Sequence, residues 1–209
     1  MPLRALIADD HELFRSGLKQ LLVDVLDAEE VREAETLDEA IELLTNEGAG
    51  DLVLVDLRMP GMSGAEALAA LRDGFPDAKV AVVSAVEDRS EIFAALAAGV
   101  HGYILKSLPA SGIADAIRAV LSGQIYVPPA LGRREPGAVA EAPPPSSEKL
   151  TARQKEVLAE LLKGRSSKEI ARALEIAEGT VKIHLAAIYR AIGVRTRAEA
   201  IAKLKSGAN

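Results

Sequence analysis

The sequence predicts two domains: an α/β domain built on a parallel sheet, then a smaller all-α domain, with a Pro-rich linker between them. Three observations carry this. Five short apolar runs alternate with amphipathic stretches over residues 3–121. The net charge of −6 is the balance of two unlike parts: residues 1–130 carry 10 Lys and Arg against 22 Asp and Glu, or −12, and residues 149–209 carry 13 against 6, or +7. Four of the ten prolines fall in GRREPGAVAEAPPPSSEK (132–149), which has neither a helical nor a strand period. The boundaries that follow are 1–125 for the first domain, 126–148 for the linker and 149–209 for the second domain.

The strand candidates are LRALIA (3–8), EVREAE (30–35), LVLVD (52–56), KVAVVS (79–84) and HGYILK (101–106). Between and after them lie amphipathic stretches at Glu12–Val25, Leu37–Asn46, Gly64–Arg72, Arg89–Ala98 and Ala110–Leu121. Strands apolar on both faces imply a sheet covered by helices on both sides. The second strand is charged, as suits an edge. In the basic segment only helices are expected. Thr151 with Gln154, Ser166 with Glu169, and Thr196 with Glu199 form capping-box pairs ahead of apolar runs. A further helix, roughly Glu178–Ile192, lies between the last two.

The chain has no cysteine, which excludes disulfides and thiolate metal sites. No apolar run approaches the roughly 18 residues of a membrane span, and the N-terminus lacks a signal-peptide pattern. A cytoplasmic protein is expected. An acidic front joined to a basic tail suggests different partners for each, with nucleic acid first for the tail.

The strand ends carry the chemistry. The first strand ends in Asp9-Asp10, the third in Asp56, the fourth in Ser84 and the fifth in Lys106. In a doubly wound sheet ligands bind beyond the carboxyl ends of the strands. Three carboxylates there repel each other, so either some carry a proton or a cation sits among them. A set without His or Cys suits a hard cation such as Mg²⁺. An ionised Asp can attack phosphorus and become an acyl phosphate. Mg²⁺, Lys106 and Ser84 could then neutralise the phosphoryl oxygens. Asp56 is thus the candidate phosphoryl acceptor, with RMPGMSG (58–64) as the wall of its pocket. Plainer readings exist: Asp10 as a helix cap, Ser84 with Glu87 as a capping box, Lys106 as a solvated strand end. Asp56 resists such a reading, because a carboxylate ending a buried strand is costly without a partner.

On Asp9-Asp10, VDLRMPGMSG, VVSA and GYILK, residues 1–125 resemble the receiver domain of two-component response regulators. The separations of 28 residues from Asp56 to Ser84 and 22 from Ser84 to Lys106 fit as well. The resemblance implies a flavodoxin-like fold with strand order 2-1-3-4-5 and phosphorylation of Asp56 by a sensor histidine kinase. It implies Mg²⁺ on Asp9, Asp10, Asp56 and the main-chain carbonyl of Arg58. It also implies that Ser84 turns toward the phosphoryl group and that Tyr103 moves inward with it. Tyr103 has a plainer role as a half-buried strand aromatic.

In the tail, SSKEIARALEIAEGTVKIHLAAIYRAI (166–192) reads helix, turn, helix. Ile170, Ala171 and Leu174 face inward on the first, and Val181, Leu185, Ile188 and Ile192 form a stripe on the second. Glu178, Lys182, Ile183, Ala186 and Arg190 point elsewhere. In a helix-turn-helix the second helix enters the major groove. Lys163, Arg165, Lys168, Arg172, Lys182, Arg190, Arg195 and Arg197 are candidate phosphate contacts. The plainer reading is a helical bundle with a solvated basic face.

On LTARQKEVL, GRSSKEIARAL, EGTVKIHLAAIYRAIGV, Arg195 and Ala198, residues 150–205 resemble the LuxR/NarL-type helix-turn-helix. That implies a four-helix domain, a homodimer on DNA, transcriptional control and RNA polymerase as a further partner. The DNA-contacting set is Glu178, Thr180, Lys182, Ile183, His184 and Arg190, with Lys168, Arg195 and Arg197 around it. Three positions depart from the family. Glu175 stands where Gly is common, Ala177 where Ser is, and Ala186 where a basic residue often is.

Two other functions compete with this one. A hydrolase of the haloacid dehalogenase type also uses a strand-end Asp, but carries a second Asp two residues later, where this chain has Arg58. A receiver-containing interaction module that is never phosphorylated is opposed by the intact set of five site residues. The leading reading is a phosphorylation-controlled, DNA-binding transcription regulator and not an enzyme. The opposite charges of the two domains lead to one more expectation: before phosphorylation, the receiver sits against the recognition helix. Phosphorylation would then act through the face built from the fourth helix and fifth strand.

Overall fold

A computed structural model describes residues 2–129 and 150–206. The first domain runs β1 (Leu3–Ala8), α1 (Glu12–Leu26), β2 (Ala28–Ala34), α2 (Leu37–Asn46), β3 (Leu52–Val55), α3 (Gly64–Gly74), β4 (Lys79–Ser84), α4 (Arg89–Ala97), β5 (Gly102–Leu105) and α5 (Ala110–Leu121). All strand pairs are parallel, in the order β2-β1-β3-β4-β5. This is the expected flavodoxin-like order. It places β1 and β3, which carry the aspartates, side by side.

The period of two divides the strands cleanly. Leu6, Ala8, Val53, Val55, Val80, Val82, Tyr103 and Leu105 enter the core under α2, α3 and α4. Ala5, Ile7, Leu52, Leu54, Ala81, Val83 and Ile104 enter the opposite core under α1 and α5. Each fully buried Leu or Ile contributes about 1.5–3 kcal/mol, so the strands are strongly held and their ends are fixed. At the edge, β2 places Glu33 within 2.6 Å of Lys19 on α1, so its charges are used. β2 begins two residues earlier than its sequence pattern suggests, because Ala28 pairs with Leu3 ahead of a register shift. After α5 the chain stays on the sheet: Tyr126 bridges Gly102. Most of the expected linker, with its Pro run, lies outside the described residues.

The second domain has α6 (Ala152–Leu162), α7 (Ser167–Leu174), α8 (Glu178–Ala191) and α9 (Arg197–Ser206). Thr151 and Ser166 form the expected capping boxes. Its own core joins Val157, Leu161, Ile170, Val181, Leu185, Ile188 and Ala200. Glu175 takes the left-handed conformation, with φ at 53°, and Ala177 caps α8 with no side-chain hydrogen bond. A left-handed non-Gly residue costs about 1–2 kcal/mol, and a lost cap costs about 1 kcal/mol. The α7–α8 turn is therefore held by packing more than by its local sequence. Among the described residues no helix is long and apolar enough to cross a membrane.

Candidate functional site

The parallel register brings the strand-end residues to one rim. Asp9 and Asp56 follow adjacent strands, and the Asp56 N–H donates to the Ala8 carbonyl at 2.8 Å. Both carboxylates are buried, at 1% and 2% exposure. Lys106 reaches from the end of β5 to bridge them, with Nζ 2.7 Å from Asp9 Oδ2 and 3.1 Å from Asp56 Oδ2. Its ammonium also lies 4.7 Å from the centre of the Phe14 ring. Lys106 is therefore no solvated strand end.

Asp56 Oδ1 is buried and has no hydrogen-bond partner. It faces a cleft lined by His11, Phe14, Arg58, Ala85 and Lys106. A buried, orphaned carboxylate oxygen with Asp9 and Asp10 beside it fits a divalent cation. The Arg58 side chain turns to Glu91, at 2.6 Å.

Ser84 is fully buried, and its Oγ accepts the Val86 N–H at 3.3 Å. The cap of α4 is Asp88, so the capping-box reading of Ser84 and Glu87 does not hold. Likewise the cap of α1 is His11 and not Asp10. Tyr103 is fully buried, and its hydroxyl donates to the Val86 carbonyl at 2.9 Å. It is not half-buried: the ring is already turned inward. Burial raises the Tyr103 phenol above its ordinary value, and the Ser84 hydroxyl partly opposes this.

One residue of this rim escaped the sequence reading. His11 Nδ1 lies 2.8 Å from Asp10 Oδ1, and one donor atom each from Asp9, Asp10, His11 and Asp56 fall within 4.8 Å of one another. Its signal was its place directly after Asp9-Asp10.

The recognition helix α8 is packed against the receiver, on α2, α3 and the turn between β3 and α3. Ile183 and Ala186 join the receiver's core cluster. Thr180 shares a hydrogen bond with Ser63 at 2.9 Å. Lys182 donates to Asp38 at 2.6 Å, and Arg190 to Asp77 at 2.8 Å and to the Gly74 carbonyl at 3.1 Å. Arg190 also lies over the Phe75 ring. Arg153 of α6 meets Glu66 at 3.2 Å. Exposed ion pairs are each worth about 0–1 kcal/mol, so buried Ile183, Ala186 and Thr180 carry most of the docking. The receiver does sit against the recognition helix, as expected, and the face it uses is α2–α3.

Of the expected DNA contacts, Thr180, Ile183 and His184 are therefore buried, Lys182 and Arg190 are paired with receiver acids, and Glu178 lies 3.9 Å from Lys182. Lys168 and Arg195 are exposed. Arg197 is half-buried and donates to the Arg165 carbonyl at 2.6 Å.

His184 sits at the seam between α8, the receiver and α6, and neither ring nitrogen has a hydrogen-bond partner. Burial pushes its imidazole below the ordinary value, and Arg153 adds to this, while Glu66 and Asp73 of α3 and Glu156 of α6 oppose it. The docked state therefore favours the neutral ring. The contribution of His184 to docking is complete above the ordinary value of 6.5 and is lost as pH falls from there toward the lowered one. DNA affinity of the full chain, relative to the second domain alone, is expected to rise across that window. His184→Leu should flatten the rise; a rise that persists in the variant would assign it to other groups.

Residues 5–118 match the family model of the response regulator receiver domain, and residues 148–204 match that of the bacterial regulatory proteins of the luxR family. The chain is 40% identical over 205 residues to the glycerol metabolism activator of Pseudomonas putida, across 95% of this chain and 93% of that one. It is 38% identical over 203 residues to the nitrate/nitrite response regulator protein NarP of Escherichia coli K12, again across 95% and 93%. Among solved structures, the response regulator ChrA of a heme-sensing two-component system aligns over 99% of this chain and 98% of that one, with 31% identity and a TM-score of 0.51. The receiver match alone spans more than half of the sequence, and this chain belongs to the response regulators that join a receiver domain to a DNA-binding helix-turn-helix of the luxR family.

Proposed function

We propose that this protein is a cytoplasmic transcription regulator whose receiver holds its recognition helix off DNA until a sensor histidine kinase phosphorylates Asp56. The observation that carries this is the docking of α8: of the nine residues expected on DNA, Thr180, Ile183 and His184 are buried and Lys182 and Arg190 are paired with receiver acids.

A carboxylate oxygen of Asp56 attacks the phosphorus of the donor, an O–P bond forms, and the bond to the donor's leaving group breaks. Mg²⁺ held by Asp9, Asp10, Asp56 and the Arg58 carbonyl would supply charge neutralisation for the transferred group. Lys106 keeps its ammonium on the two buried carboxylates, and Ser84 stands at the neighbouring strand end. In this reading both hold phosphoryl oxygens after transfer.

The turn from Asp56 to Ser63 links this chemistry to the recognition helix. One end carries Asp56 and the Arg58 carbonyl. The other carries the Gly61 carbonyl, against Gly179, and Ser63, against Thr180. A phosphoryl group and cation at the first end displace the second, which weakens the docking. Released α8 then binds DNA in a homodimer, where RNA polymerase is a further partner. The effect on DNA binding can be no larger than the phosphoryl group's differential affinity for the open and closed states.

The DNA side is tested on the second domain alone, residues 149–209, which has its own core. Lys182→Ala should weaken binding to the specific site by about 1–3 kcal/mol if Lys182 reads a base edge. An equal loss on random DNA would make Lys182 a phosphate contact and remove its recognition role.

A further inference from the structure

The strand-end carboxylates Asp9, Asp10 and Asp56 by themselves form an all-oxygen cation site. The structure adds a nitrogen. His11 stands at the N-cap of α1, yet its side chain makes no capping hydrogen bond. The ring instead turns to the aspartates, with Nδ1 2.8 Å from Asp10 Oδ1 and 3.3 Å from Asp9 Oδ1. The His11 backbone N–H donates to Asp9 Oδ1 at 2.9 Å, which fixes the base of the side chain against the same carboxylate. His11 lines the same cleft as Asp56, whose buried Oδ1 has no partner. Donor atoms of Asp9, Asp10, His11 and Asp56 lie within 4.8 Å of one another.

We propose that His11 is a ligand of the receiver's divalent cation through Nδ1, and that it biases the site toward a first-row transition cation such as Mn²⁺ relative to Mg²⁺. This rests on the cation-site reading given above. The chemistry is that of the donor set. Mg²⁺ prefers oxygen ligands and dehydrates reluctantly, whereas imidazole nitrogen suits the transition metals. Three carboxylates alone discriminate weakly between the two; three carboxylates and an imidazole do not. The alternative role for His11 is that of a hydrogen-bond donor that only orients Asp10.

The test uses the full chain and two cations. Mn²⁺ binding is followed by electron paramagnetic resonance, with Mg²⁺ as competitor, for wild type and His11→Ala. Because His11 makes no capping bond, Ala removes none from α1. The expected result is a loss of Mn²⁺ affinity of at least about tenfold in the variant, with Mg²⁺ affinity changed by much less. The electron spin echo of bound Mn²⁺ should carry ¹⁴N modulation in wild type and lose it in His11→Ala, although His101 and His184 remain. Stoichiometric Mn²⁺ without ¹⁴N modulation, or an unchanged Mn²⁺-to-Mg²⁺ ratio in the variant, would overturn the role of His11 and leave the cation site standing. Failure of wild type to bind either cation would overturn the site itself.

Discussion

Gly179→Ala is expected to raise the DNA affinity of the unphosphorylated full chain, by about 5- to 150-fold if docking sets a typical coupling energy. The reason is steric. A Cβ at position 179 would lie 2.3 Å from the Gly61 carbonyl oxygen and 3.0 Å from Leu37 Cδ2. The nearer atom is backbone, in a turn whose Gly61 has φ at +88°, so it cannot swing aside as a flexible side chain would. The two domains must separate, and Ile183 and Ala186 then leave the receiver's core cluster. Within α8 the same change is favourable, since Ala exceeds Gly in helix propensity by about 1 kcal/mol. The variant therefore opens the interface without weakening the helix that reads DNA. The same substitution in residues 149–209 alone should leave DNA affinity unchanged, which separates undocking from any direct effect on binding. An unchanged full-chain affinity would mean that docking does not limit access.

Asp56→Asn is expected to abolish phosphorylation outright. With acetyl phosphate and a divalent cation, intact-mass measurement should find one added phosphoryl group on wild type, none without the cation, and none on Asp56→Asn. The amide keeps the size of the side chain but offers no carboxylate oxygen to attack phosphorus. Asp10→Asn should slow labelling without ending it, because Asp9 and Asp56 still face the cation. Labelling that persists in Asp56→Asn moves the acceptor to another residue. Absence of labelling in wild type would favour a receiver that acts only as an interaction module.

The sheet and the rim were legible because parallel strands buried on both faces leave a strong apolar signal, and because each site residue sits at a strand end. Asp56 stood out for a physical reason: a carboxylate closing LVLV needs a partner, and Lys106 with Asp9 beside it is that arrangement. Glu175 was legible as well, since the position needs a left-handed residue and takes one. His11 was missed because a carboxylate-only set was complete without it. The docking face was missed because it depends on contacts between domains. Ile183 and Ala186 lie off the apolar stripe of α8, and such residues look like surface positions until the receiver covers them. The attraction between an acidic receiver and a basic tail could be foreseen from charge alone. Its address on α2 and α3 could not, because Asp38, Glu66 and Asp77 are three among many surface acids.

The central claim is that the receiver blocks α8 until Asp56 is phosphorylated. The most direct measurement is the affinity for a single DNA half-site, where dimerisation adds nothing, compared among the unphosphorylated full chain, the phosphorylated full chain and residues 149–209 alone. The unphosphorylated chain is expected to bind more weakly than the isolated domain by at least about fivefold, with the phosphorylated chain close to that domain. Equal affinities for the unphosphorylated chain and the isolated domain would contradict the claim and leave phosphorylation to act through dimerisation.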